Sequence, residues 1–182
     1  MANHICPWWV GYLLANPLRR IFENPDKLVA PFVCNGMTVI DYGCGMGFFT
    51  IPLARLVGPS GKVIAVDIQE KMLNVLRRKA QRTGLSDRMT LLAAGSQQEI
   101  KEDSVDFVTA LYVIHEIGDP PAFFNDMCRV MKPGAKILML EPRFHVAEKE
   151  FRRSIEMAEA TGLVLNSAFD SSRSLRVVLS KP

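Results

Sequence analysis

The apolar positions of this 182-residue chain follow two alternating rhythms. Short runs rich in β-branched and large apolar residues are separated by longer stretches whose apolar residues recur at helical spacing. The runs predict strands at about 37–42, 62–67, 89–93, 105–111, 136–141, 163–169 and 174–180. The stretches predict helices near 48–57, 69–83, 121–131 and 146–161. In 69–83 the spacing of Met72, Leu73, Val75, Leu76 and Ala80 marks one apolar face, and Gly84 is placed to stop the helix.

Strands alternating with helices predict a parallel sheet covered on both faces. The last two strands are joined only by Asp170-Ser171-Ser172-Arg173, too short for a helical crossover, so they must pair antiparallel. Residues 1–35 stand apart from the body at 36–182. Asn16-Pro17 and Asn24-Pro25 each read as a helix N-cap followed by proline at the first helical position, predicting short helices at about 17–23 and 25–33. There is no internal repeat, low-complexity tract or linker.

One stretch breaks the rhythm. After the apolar run of the first strand come Asp41-Tyr42-Gly43-Cys44-Gly45-Met46-Gly47-Phe48, with glycines at alternate positions before a helix begins. This order predicts a tight strand-to-helix turn whose bare backbone a ligand can approach closely. Twenty residues past Gly47 the second strand ends in Asp67, where a carboxylate can take two ribose hydroxyls. Two such features in register predict a nucleoside site.

The residues also say which nucleoside. Phe48 stands where a dinucleotide turn carries its third glycine, and a carboxylate at Asp41 opposes a pyrophosphate at the helix start. No Gly-x-x-x-x-Gly-Lys-[Ser/Thr] motif occurs. A ligand with a cationic end suits this turn, and S-adenosylmethionine carries an ammonium and a sulfonium but no phosphate.

On these residues the chain resembles the class I S-adenosylmethionine-dependent methyltransferases, in the broad group that includes the ubiquinone/menaquinone-biosynthesis methyltransferases. The resemblance runs from about Gly36 to the C-terminus. It rests on the glycine turn, on Val66-Asp67, on Asp106-Phe107-Val108-Thr109-Ala110-Leu111, and on Arg129-Val130-Met131-Lys132-Pro133-Gly134-Ala135. It implies a Rossmann-like, doubly wound seven-stranded α/β sheet in the order 3-2-1-4-5-7-6 with the last strand antiparallel. It also implies cofactor contacts at Asp41, Tyr42, Gly43, Cys44, Gly45 and Gly47, at Asp67 and Ile68, at Gly95 and Ser96, and at Leu111. Asp41 is expected to act by charge on the methionine ammonium, directly or through water, and no other partner for it is apparent. Ile68 lies against adenine or in ordinary core. Similar enzymes often carry Gly-Asp-Ala after the third strand. Here Gly95-Ser96-Gln97 lacks the acid, so Ser96 or Gln97 would take its hydrogen bond.

Composition narrows the setting. The length suits one domain with a sizeable core. A net charge of +3 with scattered basic residues gives no nucleic-acid face. DNA is excluded further by the absence of an Asp/Asn-Pro-Pro-Tyr/Phe motif and of Pro-Cys, and RNA is not expected. Cys6, Cys34, Cys44 and Cys128 show no pairing pattern, which suits a reducing cytoplasm. No stretch has the apolar length to span a bilayer, and Met1–Leu18 lacks the features of a secretion signal.

The acceptor side is harder to read. His115 follows the fourth strand, at the edge where open α/β sheets bind ligands, and is the foremost candidate base; a satisfied structural histidine is the competing reading. Glu116 would orient it or face solvent. His145 is a second candidate. The cluster Trp8-Trp9-Tyr12 is a packed helix, a lid over an apolar acceptor, or a foot on a membrane interface. His4 and Cys6 alone do not make a metal site, and Cys44 reads as a small apolar filler. The expectation is a cytoplasmic enzyme that methylates a small, apolar or aromatic molecule. The rivals are an RNA methyltransferase, a non-catalytic S-adenosylmethionine-binding module, and a dehydrogenase on the same sheet.

Overall fold

The computed structural model describes residues 23–170 and 173–182. The expected helix at 17–23 and the Trp8-Trp9-Tyr12 cluster therefore lie outside the described residues, apart from Glu23. Seven strands appear: β1 (Thr38–Tyr42), β2 (Lys62–Asp67), β3 (Met89–Ala93), β4 (Val105–Leu111), β5 (Met131–Pro142), β6 (Val164–Asp170) and β7 (Ser174–Ser180). Their order in the sheet is β3-β2-β1-β4-β5-β7-β6, as the resemblance implied. The pairs β1–β2, β2–β3 and β4–β5 are parallel, while β7 runs antiparallel to both β5 and β6.

The described chain divides into two compact units, one ending at Gln97 and the other beginning at Gln98. The first holds α1 (Pro25–Val29), α2 (Thr50–Leu56) and α3 (Glu70–Thr83) with β1 to β3. Asn24 caps α1 as expected: its side chain accepts from the amide of Lys27 at 3.1 Å, with Pro25 next in sequence. The helix does not run to 33. It tightens to a 3-10 turn at Ala30–Phe32, where Pro31 offers no amide to continue the ladder. Helix α3 buries Met72, Leu73, Leu76 and Ala80 on one stripe and ends at Gly84, whose φ of 66° is the left-handed cap that glycine adopts without strain.

The second unit holds α4 (Pro120–Val130) and α5 (Glu148–Ala160) with β4 to β7. Asp119 starts α4, its carboxylate accepting from the amide of Ala122 at 3.0 Å. Strand β5 begins five residues earlier than the pattern predicted, at Met131 rather than at 136. Lys132-Pro133-Gly134 is not a turn before the strand but an irregularity within it: Met131 pairs with Val105, and pairing resumes only at Lys136 with Phe107. Hydrogen bonds from Gly134 to Lys181 and from Lys181 to Ala135 hold this excursion against the end of the chain. The buried core of β5, Ile137 to Leu140, leads directly to Glu141.

Candidate functional site

Within the first unit the glycine turn is held onto β2 by backbone bonds. The amides of Gly43 and Cys44 both donate to the carbonyl of Val66, at 2.8 and 3.0 Å. Gly45 and Gly47 are both left-handed, but for different reasons. A Cβ on Gly45 would enter open space, so this glycine leaves room beside the backbone. A Cβ on Gly47 would come within 2.5 Å of Cδ1 of Leu76, so that glycine lets α3 pack close. Only the first is free to receive a ligand.

Asp67 ends β2, nearly buried, with each carboxylate oxygen on a backbone amide: Oδ2 on Gly45 and Oδ1 on Gln69, both at 2.8 Å. A carboxylate offers about four acceptor sites, so capacity remains for two ligand hydroxyls. Burial raises its pKa, and the amides of Gln69, Gly45 and Ile68 pull against that rise without cancelling it. Asp41 is 2% exposed and accepts from the Thr50 hydroxyl at 2.6 Å. It thus has a protein partner that the sequence did not suggest, because Thr50 becomes its neighbour only once α2 starts there.

Cys44 reports the field between these acids. Burial pushes its thiol well above the usual range, and the charges of Asp41 and Asp67 push it further. A thiol held so firmly protonated is no nucleophile. The same field favours a cation and opposes a phosphate.

Beyond β3, Gln97 is buried. Its Oε1 accepts from the amide of Gly95 at 2.6 Å and its Nε2 donates to the Tyr42 hydroxyl at 3.1 Å. Ser96 beside it is half-buried. Ile68 is 62% exposed, so the core alternative does not hold.

In the second unit Leu111 ends β4, buried. The next residue, Tyr112, has φ of +62°, a strained conformation for a non-glycine, fixed by its amide donating to the carbonyl of Leu140 at 2.7 Å. The chain then turns through a 3-10 segment, Ile114–Glu116, that carries His115. Nδ1 of His115 lies 2.7 Å from Oε2 of Glu141, and its backbone amide donates to Oε1 of the same residue at 3.3 Å. Glu116 lies farther off, 3.8 Å from Nε2, so Glu141, not Glu116, orients the ring. Partial burial lowers the His115 pKa, but the hydrogen bond and charge of Glu141, with Glu116 and Glu150 beyond, outweigh it and leave it raised. His145, exposed, meets His115 edge to face with ring centres 4.8 Å apart, so the two candidate bases share one place. Among the described residues there is no group of three or more side chains suited to hold a metal.

Sequence reasoning missed Glu141 and Thr50. The signal for Glu141 was visible: an acid closing an apolar strand, as Asp41 and Asp67 do.

Comparison with known proteins now decides the family. A family model described as "Methyltransferase domain" matches residues 34–173. This chain belongs to that methyltransferase family. The ubiquinone/menaquinone biosynthesis C-methyltransferase UbiE of Saccharophagus degradans is 31% identical over 148 residues, which are 79% of this chain and 59% of that one. The methyltransferase chain spans about half the length of the curated relatives it matches. A SAM dependent methyltransferase from Aquifex aeolicus superposes with a TM-score of 0.85 at 25% identity, covering 96% of this chain and 98% of that one. S-adenosylmethionine is the methyl donor of this class. The cyclase SpnF shares the fold too, with a TM-score of 0.74 at 15% identity over 86% of this chain and 80% of its own. The fold therefore does not fix the chemistry, which has to be argued from the site.

The residues fit the donor. The open space at Gly45, the spare acceptor capacity of Asp67, the exposed Ile68 and the negative field at Cys44 together suit a cationic nucleoside. Among the described residues no helix is long and apolar enough to cross a membrane.

Proposed function

We propose that this protein transfers a methyl group from S-adenosylmethionine to a small, apolar or aromatic acceptor, with His115 as the base. The observation that carries the reading is the pair of strand-end acids, Asp41 and Asp67, converging on a turn with open space beside Gly45. Asp41, Tyr42, Gly43, Cys44, Gly45 and Gly47 would form the donor's ledge. Asp67 would take the ribose hydroxyls, Ile68 would cover adenine, Gly95 and Ser96 would bound its edge, and Leu111 would back the site.

Bound S-adenosylmethionine supplies a methyl on a sulfonium: the acceptor's electron pair forms the new bond in line as sulfur keeps the pair of the old one. The protein's share is to hold the acceptor in line and dry, an entropic and desolvation contribution. His115 is needed only where the acceptor must lose a proton. A relative named for ubiquinone and menaquinone biosynthesis supports an acceptor of apolar ring type. The small net charge supports a small molecule over nucleic acid. Residues 1–35 would help cover the acceptor, and a cytoplasmic setting fits the free thiols of Cys34, Cys44 and Cys128.

The test is calorimetric titration with S-adenosylmethionine and S-adenosylhomocysteine, on the wild type and on Asp67→Ala. Saturable binding weakened about tenfold or more by the substitution supports the reading. Absence of binding to either ligand by the wild type overturns it.

A further inference from the structure

Glu141 is 1% exposed, and among the described residues both of its oxygens go to a single residue, His115. A buried carboxylate must be paired, and here the pairing is with a ring that remains 21% exposed. Because Nδ1 faces a carboxylate, it must carry the hydrogen of that contact, so the neutral ring keeps its lone pair on Nε2. Among the described residues no bond of ordinary length takes that lone pair, the nearest carboxylate oxygen being that of Glu116 at 3.8 Å. Among the described residues, the charged and titratable groups facing the ring are Glu141 from β5, Glu116 from its own turn, Glu150 from α5 and His145 from the segment after β5. Three of the four are acids, so a proton arriving on Nε2 is stabilised. The strained backbone of Tyr112 begins the turn that returns His115 over the end of β5.

We infer that Glu141 is the positioning residue of a Glu141–His115 pair that presents Nε2 as a general base. The methyl acceptor is then of the class that sheds a proton on methylation, a phenolic or enolic hydroxyl or the ring carbon such a hydroxyl activates, and not a tertiary amine or a thioether. The acceptor's proton passes to Nε2, the imidazolium keeps its other proton against Glu141, and solvent removes the first in the next cycle. This acceptor class rests on the methyl-transfer reading; the geometry of the pair does not.

The chain has only three histidines, so its ring nitrogens can be read one by one. Long-range nitrogen–proton correlation spectra of the full chain, labelled with nitrogen-15 at histidine, are recorded across neutral and alkaline pH. The wild type, Glu141→Gln, Glu141→Ala and, for assignment, His145→Asn are compared. The wild type is expected to show neutral His115 with its hydrogen on Nδ1. Glu141→Ala should lose that tautomer. Glu141→Gln, which keeps the shape and can still accept a bond, should keep the tautomer while the titration falls back toward the ordinary histidine range. A wild-type ring with its hydrogen on Nε2, or a titration unmoved by Glu141→Gln, overturns the pair.

S-adenosylhomocysteine affinity measured on the same samples should stay within about twofold across the Glu141 variants. Its absence in the wild type overturns methyl transfer instead, and leaves the spectra to judge the pair. With methyl-labelled donor, label is expected to enter 1-naphthol or hydroquinone and not N,N-dimethylaniline or dimethyl sulfide. Label in the latter two, or in none of the four, overturns the acceptor class.

Discussion

The two units each end strands in acids, and they use them in opposite ways. Asp67 rests on two backbone amides, donors that never change their charge, and so keeps acceptor sites for a ligand. Glu141 rests on an imidazole, a donor that does change its charge. The first arrangement suits recognition of a molecule. The second suits the handling of a proton. A strand-end acid is thus not one signal but two, and what separates them is the partner the fold supplies.

The largest effect that sharpens this contrast is on turnover. His115→Gln is expected to lower methyl transfer to a proton-bearing acceptor by about 10²- to 10⁴-fold, the usual worth of a positioned base. Affinity for S-adenosylhomocysteine, read calorimetrically, should hardly move. If binding collapses with turnover, the two regions are not separate in function and the contrast fails.

Next come the two glycines, which test the recognition side against the fold itself. Gly47→Val adds side-chain atoms against Leu76 at a φ of +83°. Left-handed strain and overpacking together should cost about 2–5 kcal/mol of stability, read by chemical denaturation. Gly45→Ala meets open space and should cost only about 1–2 kcal/mol from its φ of +50°. Its methyl group would enter the open space proposed for the ligand, so affinity should fall far more than stability. Equal stability losses for both variants would show that the turn is packed throughout rather than open on one side.

How the site could be read from the sequence follows the same division. The glycine turn and Asp67 were legible because alternate glycines between an apolar strand and a helix have few other uses, and a second strand-end acid followed at the right distance. Strands β2, β3, β4 and β7 likewise stand at the predicted positions. The start of β5 was not legible, since Lys-Pro-Gly reads as a turn, while the pairing of Met131 with Val105 and the ties to Lys181 keep it in the sheet. The pairing of His115 with Glu141 joins residues 26 apart on neighbouring structure. Glu116, adjacent in sequence, drew attention because distance along the chain was the only distance available. The strained Tyr112 has no signature in the residue types around it.

Asp67→Asn probes recognition more gently. It keeps the size but sets an amide nitrogen against one of two backbone donors and removes the charge. A loss of about tenfold in affinity for S-adenosylmethionine, roughly 1.4 kcal/mol, is expected, with the His115 titration unchanged. Because burial raises the Asp67 pKa, affinity in the wild type should also weaken on acidification before an ordinary aspartate would protonate. The Asn variant should lack that acid limb. An identical limb in both would assign it to another group.

The smallest effect concerns stability and returns to the proton-handling side. His115 has a raised pKa in the folded chain, so the native state binds its proton more tightly than the unfolded state does. Its contribution is fully present below the unfolded value, near 6.5, and is lost as pH rises through the raised folded value. The melting temperature of the wild type should therefore fall across that window, and His115→Gln should flatten the fall. A fall that persists in His115→Gln would mean that Glu141 holds the ring without charge, as a neutral acceptor does, and the difference between the two acids would shrink to geometry alone.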